Sequence, residues 1–304
     1  MSRPPRSVTV SISGGVGNQL FQLAAALEVA GGDLSRIRVA PAPGTDLRLL
    51  THLVGRELTK VSPGRLLLGG FVPPTAPRWV RKRLKATRWW IRSTGSRFGL
   101  TAAPTRSSFV SERYGSAGGS VRRIGPWAVA HGYFQDVRWA QNQSHKLLEL
   151  ISRSVLDDQV DVAGVVVHVR GSDYRDLGWL LKDHYYQSVL DSGQMPSADP
   201  VCVIGDDSAE IARVRRLIKR TGRTIRQLPD IVDPIEAAIR DFSVIAMARR
   251  VVMSNSTFCW WATSVGDAIR PERQVAYPSG WIDGNANTRL SRALKRPSWK
   301  AYPS

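Results

Sequence analysis

Apolar and polar residues alternate over VTVSI at residues 8–12, the period-two pattern of a half-buried strand. Three glycines follow in SGGVG at 13–17, and residues 20–30 then read as a helix that Gly31 and Gly32 end. The chain therefore opens on a strand, a glycine loop and a helix. Residues 40–75 carry proline, glycine and short apolar runs, and 93–125 are rich in Ser, Gly, Thr and Arg, so both are expected to be loops and short elements.

The second half has a clearer rhythm. AGVVVHVR at 163–170 is an apolar run that reads as a buried strand opening into the polar loop GSDY. VCVI at 201–204 is a short strand, GDD a turn, and residues 208–219 a helix for which Asp207 and Glu210 form a capping box. Asp233, first-turn Pro234 and Glu236 open another helix with the apolar stripe Ile235, Ile239, Phe242 and Ala246. RVVM at 250–253 is a third strand, and SNST leads from it into FCWWA. Strands and helices alternating at these spacings imply parallel sheets with crossover helices. The expected architecture is two facing α/β domains, an N-terminal one over residues 1–155 and a C-terminal one over 156–304, with the boundary near 150–162.

At 304 residues and 42% hydrophobic content the chain can bury a substantial core. No stretch reaches the length of a membrane span, and the opening MSRPPRSVTV lacks a signal peptide's apolar stretch, which points to the cytoplasm. Cys202 and Cys259, far apart in apolar contexts, read as reduced core residues rather than a disulfide or metal site. The formal charge of +18 adds a field that attracts phosphates, nucleic acid or anionic lipid. Residues 58–111 contain no acid, and RWVRKRLKATRWWIR within the basic segment 78–97 suits either a helix at an anionic membrane surface or a solvated basic helix. Nucleic-acid binding is disfavoured, because zinc-finger spacing, RNA-recognition signatures and heptads are all missing.

Ligands of open parallel sheets bind beyond the carboxyl ends of strands, where each polar cluster falls. The glycine loop offers backbone N–H groups and a helix start, suited to an anion, although its GGxG spacing departs from the dinucleotide fingerprint. Alternatively it is a tight turn with Asn18 and Gln19 as caps. His168 and Arg170 leave one face of their strand together, and the arginine fork matches a pyrophosphate; an ion pair of Arg170 with Asp173 is the alternative. Ser254, Asn255, Ser256 and Thr257 offer hydroxyls and N–H groups at a helix start, for phosphate or for plain capping.

SGGVGNQLFQLAAALEVA, GYFQDVRWA, HVRGSDY, Tyr185-Tyr186, GDDSAEI, DFSVIAMARRVVMSNSTFCWWATSVG and AYPSGW resemble, in order, the blocks of the α-1,2-fucosyltransferases of glycosyltransferase family 11. The resemblance implies a two-domain GT-B fold, GDP-fucose as donor, inversion at the anomeric carbon and no metal. The family's HxRRxDY motif carries over onto His168, Arg170, Asp173 and Tyr174, with Arg170 on the donor pyrophosphate. It departs from the family at Gly171, where an arginine is usual, and at Ser172, where glycine is usual. The family's NSSFSWW appears as NSTFCWW. Asp206 and Asp207 are adjacent rather than spaced as a metal-holding pair; Asp206 is the expected guanine or ribose contact, and Asp207 a cap.

The resulting expectation is an enzyme that moves fucose to a galactose-like hydroxyl of a glycan, lipid-linked or on a surface polysaccharide. Arg170, Asp173 and His168 are the catalytic candidates, with Asp173 as base or as a support for Arg170. Gly14, Gly15, Gly17, Asn18, Gln19, His168, Arg170, Asp206, Asn255, Ser256 and Thr257 are expected to line the donor site, with Phe21 packing the first helix on its own sheet. Segment 78–97 would hold the protein at the inner membrane surface. Competing readings are a transferase for another GDP-sugar or linkage and a catalytically silent sugar-nucleotide-binding protein.

Overall fold

A computed structural model describes residues 5–61, 119–124, 127–135, 137, 145–157, 164–193, 195–281 and 291–304. The basic segment 78–97 and residues 158–162 of the expected domain boundary lie outside the described residues. Among those residues the chain forms two sheets from separate stretches, residues 7–132 and 165–302.

The first sheet has β1 (Ser7–Ile12) at its centre, paired in parallel with β2 (Ile37–Pro41) on one side and β4 (Trp127–Gly132) on the other. Val8, Val10 and Ile12 are fully buried while the residues between them are half-buried, as the alternation in the sequence predicts. β3 (Gly119–Ile124) is antiparallel to β4 at the edge, so this sheet is mixed, and β3 is one of the short elements expected within 93–125. Helix α1 (Val16–Val29) follows β1, and α2 (Arg48–Val54) is a short element within the segment 40–75, with Leu49, Leu50, Leu53 and Val54 buried. α3 (His145–Asp157) leads towards the second sheet.

The second sheet has six strands, all parallel, in the order β10 (Lys300–Tyr302), β9 (Gln274–Pro278), β8 (Arg250–Val252), β5 (Val165–Val169), β6 (Val201–Gly205), β7 (Ile225–Arg226). Counted from β5 this is 3-2-1-4-5-6, the doubly wound order, whose direction reverses between β5 and β8. Every residue of β5 is buried because helices cover both faces. Val166 joins a core with Cys202, Phe242, Val251 and Trp260, while Val165, Val167 and Val169 join a second core with Tyr185, Tyr186 and Val214 on the opposite face. The crossover helices are α4 (Asp173–Leu177) and α5 (Asp183–Asp191), then α6 (Ser208–Arg220), α7 (Pro234–Met247) and α8 (Thr257–Ile269). Asp207 and Asp233 cap α6 and α7 through their first-turn N–H groups. The reciprocal half of the capping box is missing, since Glu210 instead accepts from Arg213 at 2.9 Å.

One apolar cluster runs through both sheets. Phe21 of α1 packs against Trp260 and Trp261 of α8, with ring centroids 4.8 and 5.1 Å apart, so it joins the two halves rather than serving its own sheet alone. Arg273 is also buried, and donates to the carbonyls of Ile245 and Ala246 at the end of α7, where its charge meets the negative end of the helix dipole. Burial lowers its pKa to about 10, which still leaves it charged at neutral pH. Cys202 and Cys259 are buried free thiols, pushed up by burial to about 11 and about 12, and hence inert. No helix of the described residues is long and apolar enough to cross a membrane.

Candidate functional site

Two loops at strand ends meet where α1 and α8 begin. α1 starts at Val16, four residues before the position read from the sequence, so Gly17, Asn18 and Gln19 lie in its first turn and not in the loop. Gly15 is the N-cap, without a side-chain bond. A Cβ on Gly17 would stand 2.3 Å from the Phe258 nitrogen and from the Thr257 carbonyl carbon, so only glycine lets the two helix starts touch. Asn18 Oδ1 accepts from Thr257 Oγ1 at 3.0 Å and from Gln135 Nε2 at 2.7 Å. Gln19 is buried, and its Nε2 donates to the carbonyls of Gly14 (2.8 Å) and Asp46 (3.0 Å). The two amides are therefore not helix caps. Asn18 bridges the halves, and backbone carbonyls hold the Gln19 Nε2, while its Oε1 is buried with no partner among the described residues.

At the reversal point of the second sheet stand the ends of β5 and β8. His168 lies in β5 and Arg170 just past its end, and the two differ in depth. His168 is buried, its Nδ1 2.7 Å from Ser254 Oγ and its ring 5.8 Å from that of Phe258. Burial, with Arg170 adding to it, lowers the imidazole pKa to about 3, so the ring is neutral and contributes no charge to a phosphate site. Arg170, 31% exposed, carries the charge instead. Its NH2 donates to Asp173 Oδ1 at 2.6 Å and its NH1 to Asp206 Oδ2, with its guanidinium carbon 5.1 Å from the centre of the Tyr174 ring. The Arg170–Asp173 pair weighed as an alternative is present, and Asp206 joins it.

Residues 171–175 are fastened over the end of β6 by its two aspartates. Asp206 Oδ1 accepts from Gly171 N at 2.9 Å; Asp207 Oδ2 accepts from Ser172 N at 3.0 Å and from Arg175 NH2 at 2.9 Å. Arg175, followed by the Glu210 and Ser172 N–H groups, holds the Asp207 carboxyl far below the usual carboxylate range. The departure at Gly171 has a steric basis here: a Cβ there would lie 2.2 Å from Asp207 Cβ. Tyr174 N donates to Gly171 O at 2.8 Å, closing a turn in which Ser172 has φ 43° and ψ −121°. That is the first central position of a type II′ turn, which favours glycine.

After β8, Asn255 is buried and ties three loops together. Its Nδ2 donates to the carbonyls of Trp179 and Trp281, both at 2.9 Å, and its own carbonyl accepts from Tyr174 Oη at 3.1 Å. Burial pushes the Tyr174 phenol up to about 12, so it remains a donor. Asn255 Oδ1 is buried with no partner among the described residues. Ser256 is the N-cap of α8 but makes no side-chain capping bond, and the first turn holds no acid. Plain capping therefore does not explain this cluster.

The structure thus brings His168, Arg170, Asp173, Asp206, Asn255 and Ser256 to one end of the second sheet, and joins Gly17, Asn18 and Thr257 in the neighbouring contact. Gln135 belongs to that contact too; its signal in the sequence was the GYFQDVRWA block of the resemblance. The sequence reading also passed over a cavity of about 550 Å3 beyond β2, lined by Pro41, Asp46, Arg48, Thr51, His52 and Lys60 among others. Its wall reaches the first contact through Asp46, whose carbonyl holds Gln19.

No protein-family model and no curated protein matches the chain. Among solved structures it is similar to the fucosyltransferase NodZ from Bradyrhizobium, at 14% identity over 86% of this chain and 92% of that one, with a TM-score of 0.43. It is also similar to a variant of Arabidopsis thaliana FUT1 in complex with GDP, at 12% identity over 95% and 73% of the two chains and a TM-score of 0.45. A third similarity is to POFUT1 in complex with GDP-fucose, at 12% identity over 88% and 95%, with a TM-score of 0.35.

Proposed function

We propose that the chain is an inverting, metal-independent fucosyltransferase of GT-B-like arrangement that moves fucose from GDP-fucose to a galactose-like hydroxyl, forming an α-1,2 linkage on a glycan. The observation that carries a nucleotide-sugar site is the reversal of strand order between β5 and β8, with Arg170 and the start of α8 at the two strand ends that flank it. The choice of fucose and of the linkage rests on the ordered sequence blocks. The domain from about residue 156 onward holds the donor, and the one up to residue 155 the acceptor, for which the cavity beside Asp46 offers hydroxyl, carboxylate and cationic partners. Segment 78–97 brings the enzyme to an anionic inner membrane surface carrying a lipid-linked acceptor.

In this reading the acceptor oxygen attacks the anomeric carbon as the bond to the β-phosphate oxygen breaks. The electron pair leaves with GDP, and the acceptor proton passes to a carboxylate, for which Asp173 is the candidate. Arg170 and the N–H groups at the start of α8 meet the charge that grows on the leaving diphosphate. Asp206 takes ribose hydroxyls or guanine N–H groups. His168, being neutral and buried, positions Ser254 and the end of β5 rather than neutralising phosphate.

Nucleoside-diphosphate release from a panel of GDP- and UDP-sugars, in EDTA, with and without lactose or simple galactosides, tests this. Release from GDP-fucose alone, raised by a galactoside and untouched by EDTA, is the expected result; activity only with another nucleotide sugar, or only with added metal, defeats it. The filling of the Gly171 seat by Asp207, where the family carries a second arginine, favours as second reading a transferase for another GDP-sugar. The same panel separates the two.

A further inference from the structure

Arg170 is one cation held by two anions. Its NH2 lies 2.6 Å from Asp173 and its NH1 is bonded to Asp206, so this group is one unit negative before any ligand arrives. A diphosphate brought to such a group meets net repulsion, and the guanidinium edge that would bind two phosphate oxygens is already occupied. If Arg170 binds the donor, it must change partners.

The two carboxylates are not equally placed to leave. Asp206 has a second anchor, since its Oδ1 accepts from Gly171 N at 2.9 Å, and its side chain is 32% exposed. Asp173 is 57% exposed and opens a five-residue helix that follows the strained turn at Ser172. An ion pair with so exposed a carboxylate is weak. We infer that Asp173 is a negative determinant of donor affinity: the diphosphate of a nucleoside-diphosphate ligand displaces it from Arg170, while Asp206 stays on the loop. This rests on the donor reading proposed above. Asp173 is then released from Arg170 in the donor complex alone, which ties the availability of its carboxylate to the presence of donor.

The test is calorimetric titration of the full chain with GDP at low ionic strength, with a melting curve for each variant. Asp173→Asn removes the competing charge and is expected to tighten GDP about threefold to fivefold. Asp173→Ala, which also gives up the hydrogen bond, is expected to do the same should the asparagine still hold Arg170. Asp176→Asn makes the same change in net charge on the same short helix and leaves the affinity unchanged. Weaker or unchanged GDP binding in both Asp173 variants overturns the exchange and leaves the donor site standing. An equal gain in Asp176→Asn also overturns it, since general charge would then be the cause. Failure of the wild type and every variant to bind GDP removes the donor reading itself.

Discussion

Gly17 and Gly171 both stand just past a strand end where a Cβ cannot fit, yet the space each leaves is used differently. At Gly17 the helix start rests on the backbone of Thr257 and Phe258, and the polar side chains around it, Asn18, Thr257 and Gln135, are neutral and bonded to one another. At Gly171 the loop rests on the side chain of Asp207, and the groups around it are charged and, apart from the more buried Asp207, between about a third and somewhat over a half exposed. The first arrangement is a joint: its groups are matched, and separating them strands polar atoms. The second is an ion cluster in partial contact with water, where one partner exchanges for another at small net change. Two glycines that admit no Cβ are thus held by different forces, and the charge beside them tells the two arrangements apart.

The largest expected effect tests how separate the floor of the ion cluster is from its rim. His168 has a folded pKa of about 3 against about 6.5 unfolded. Between those values the unfolded chain binds the extra proton, so this contribution to stability is complete above pH 6.5 and shrinks as pH falls towards 3, by roughly 5 kcal/mol in all. Urea unfolding at pH 7.5 and pH 4.5 measures it, and His168→Gln is expected to flatten the difference by roughly 2 to 3 kcal/mol, whatever it does to stability at pH 7.5. An unchanged slope would mean that the ring is not held neutral.

Next comes the rim. Arg170→Ala is expected to lower the rate of GDP release from GDP-fucose at least about a hundredfold, roughly 3 kcal/mol of transition-state stabilisation, with little change in melting temperature. Turnover near wild type would show that this charge does not serve the diphosphate.

The two glycines can then be set against each other directly. Gly17→Ala forces α1 from α8 and is expected to destabilise the fold by about 1 to 3 kcal/mol, visible as a lower melting temperature. Gly171→Ala pushes the loop from Asp207, and its main effect is expected on GDP affinity, with a smaller loss of stability. If both substitutions lowered stability alike and neither touched GDP binding, the distinction between joint and ion cluster would fail.

How far these roles could be read from the sequence follows the range of the forces involved. The alternation in β1, the apolar runs of β5, β6 and β8, and the Asp207 and Asp233 caps are local signals, and each element stands where they placed it. α2 and β3 fall in stretches read only as loops and unplaced short elements, because Leu49, Leu50 and Leu53 are organised by tertiary packing, and β3 by pairing with β4, neither of which local composition displays. That His168 and Arg170 leave one face was expected from strand geometry, but their difference in depth was not, because burial depends on Phe258 and Ser254, some 90 residues later. The protein contacts of Gln19 and Asn18 were hidden for the same reason. Their partners Asp46, Gln135 and Thr257 are distant in sequence, and an amide looks alike whether a ligand or a backbone carbonyl receives it.

The smallest effect concerns the turn that carries Asp173. Ser172 holds φ 43° and ψ −121°, a conformation that costs a serine of the order of 1 to 3 kcal/mol and a glycine little. Ser172→Gly keeps the backbone N–H that Asp207 accepts, so the only large changes are relief of that strain and the greater freedom of glycine in the unfolded chain, about 0.5 to 1 kcal/mol in the opposite sense. The expected net result is a gain of roughly 1 kcal/mol in stability. The direction of any accompanying change in GDP affinity bears on the comparison. A joint would be indifferent to it, whereas a loop that yields Asp173 when the diphosphate arrives moves less readily once its resting turn is relaxed. Calorimetry is therefore expected to show slightly weaker GDP binding in Ser172→Gly; unchanged or tighter binding would place the turn among the fixed parts of the fold.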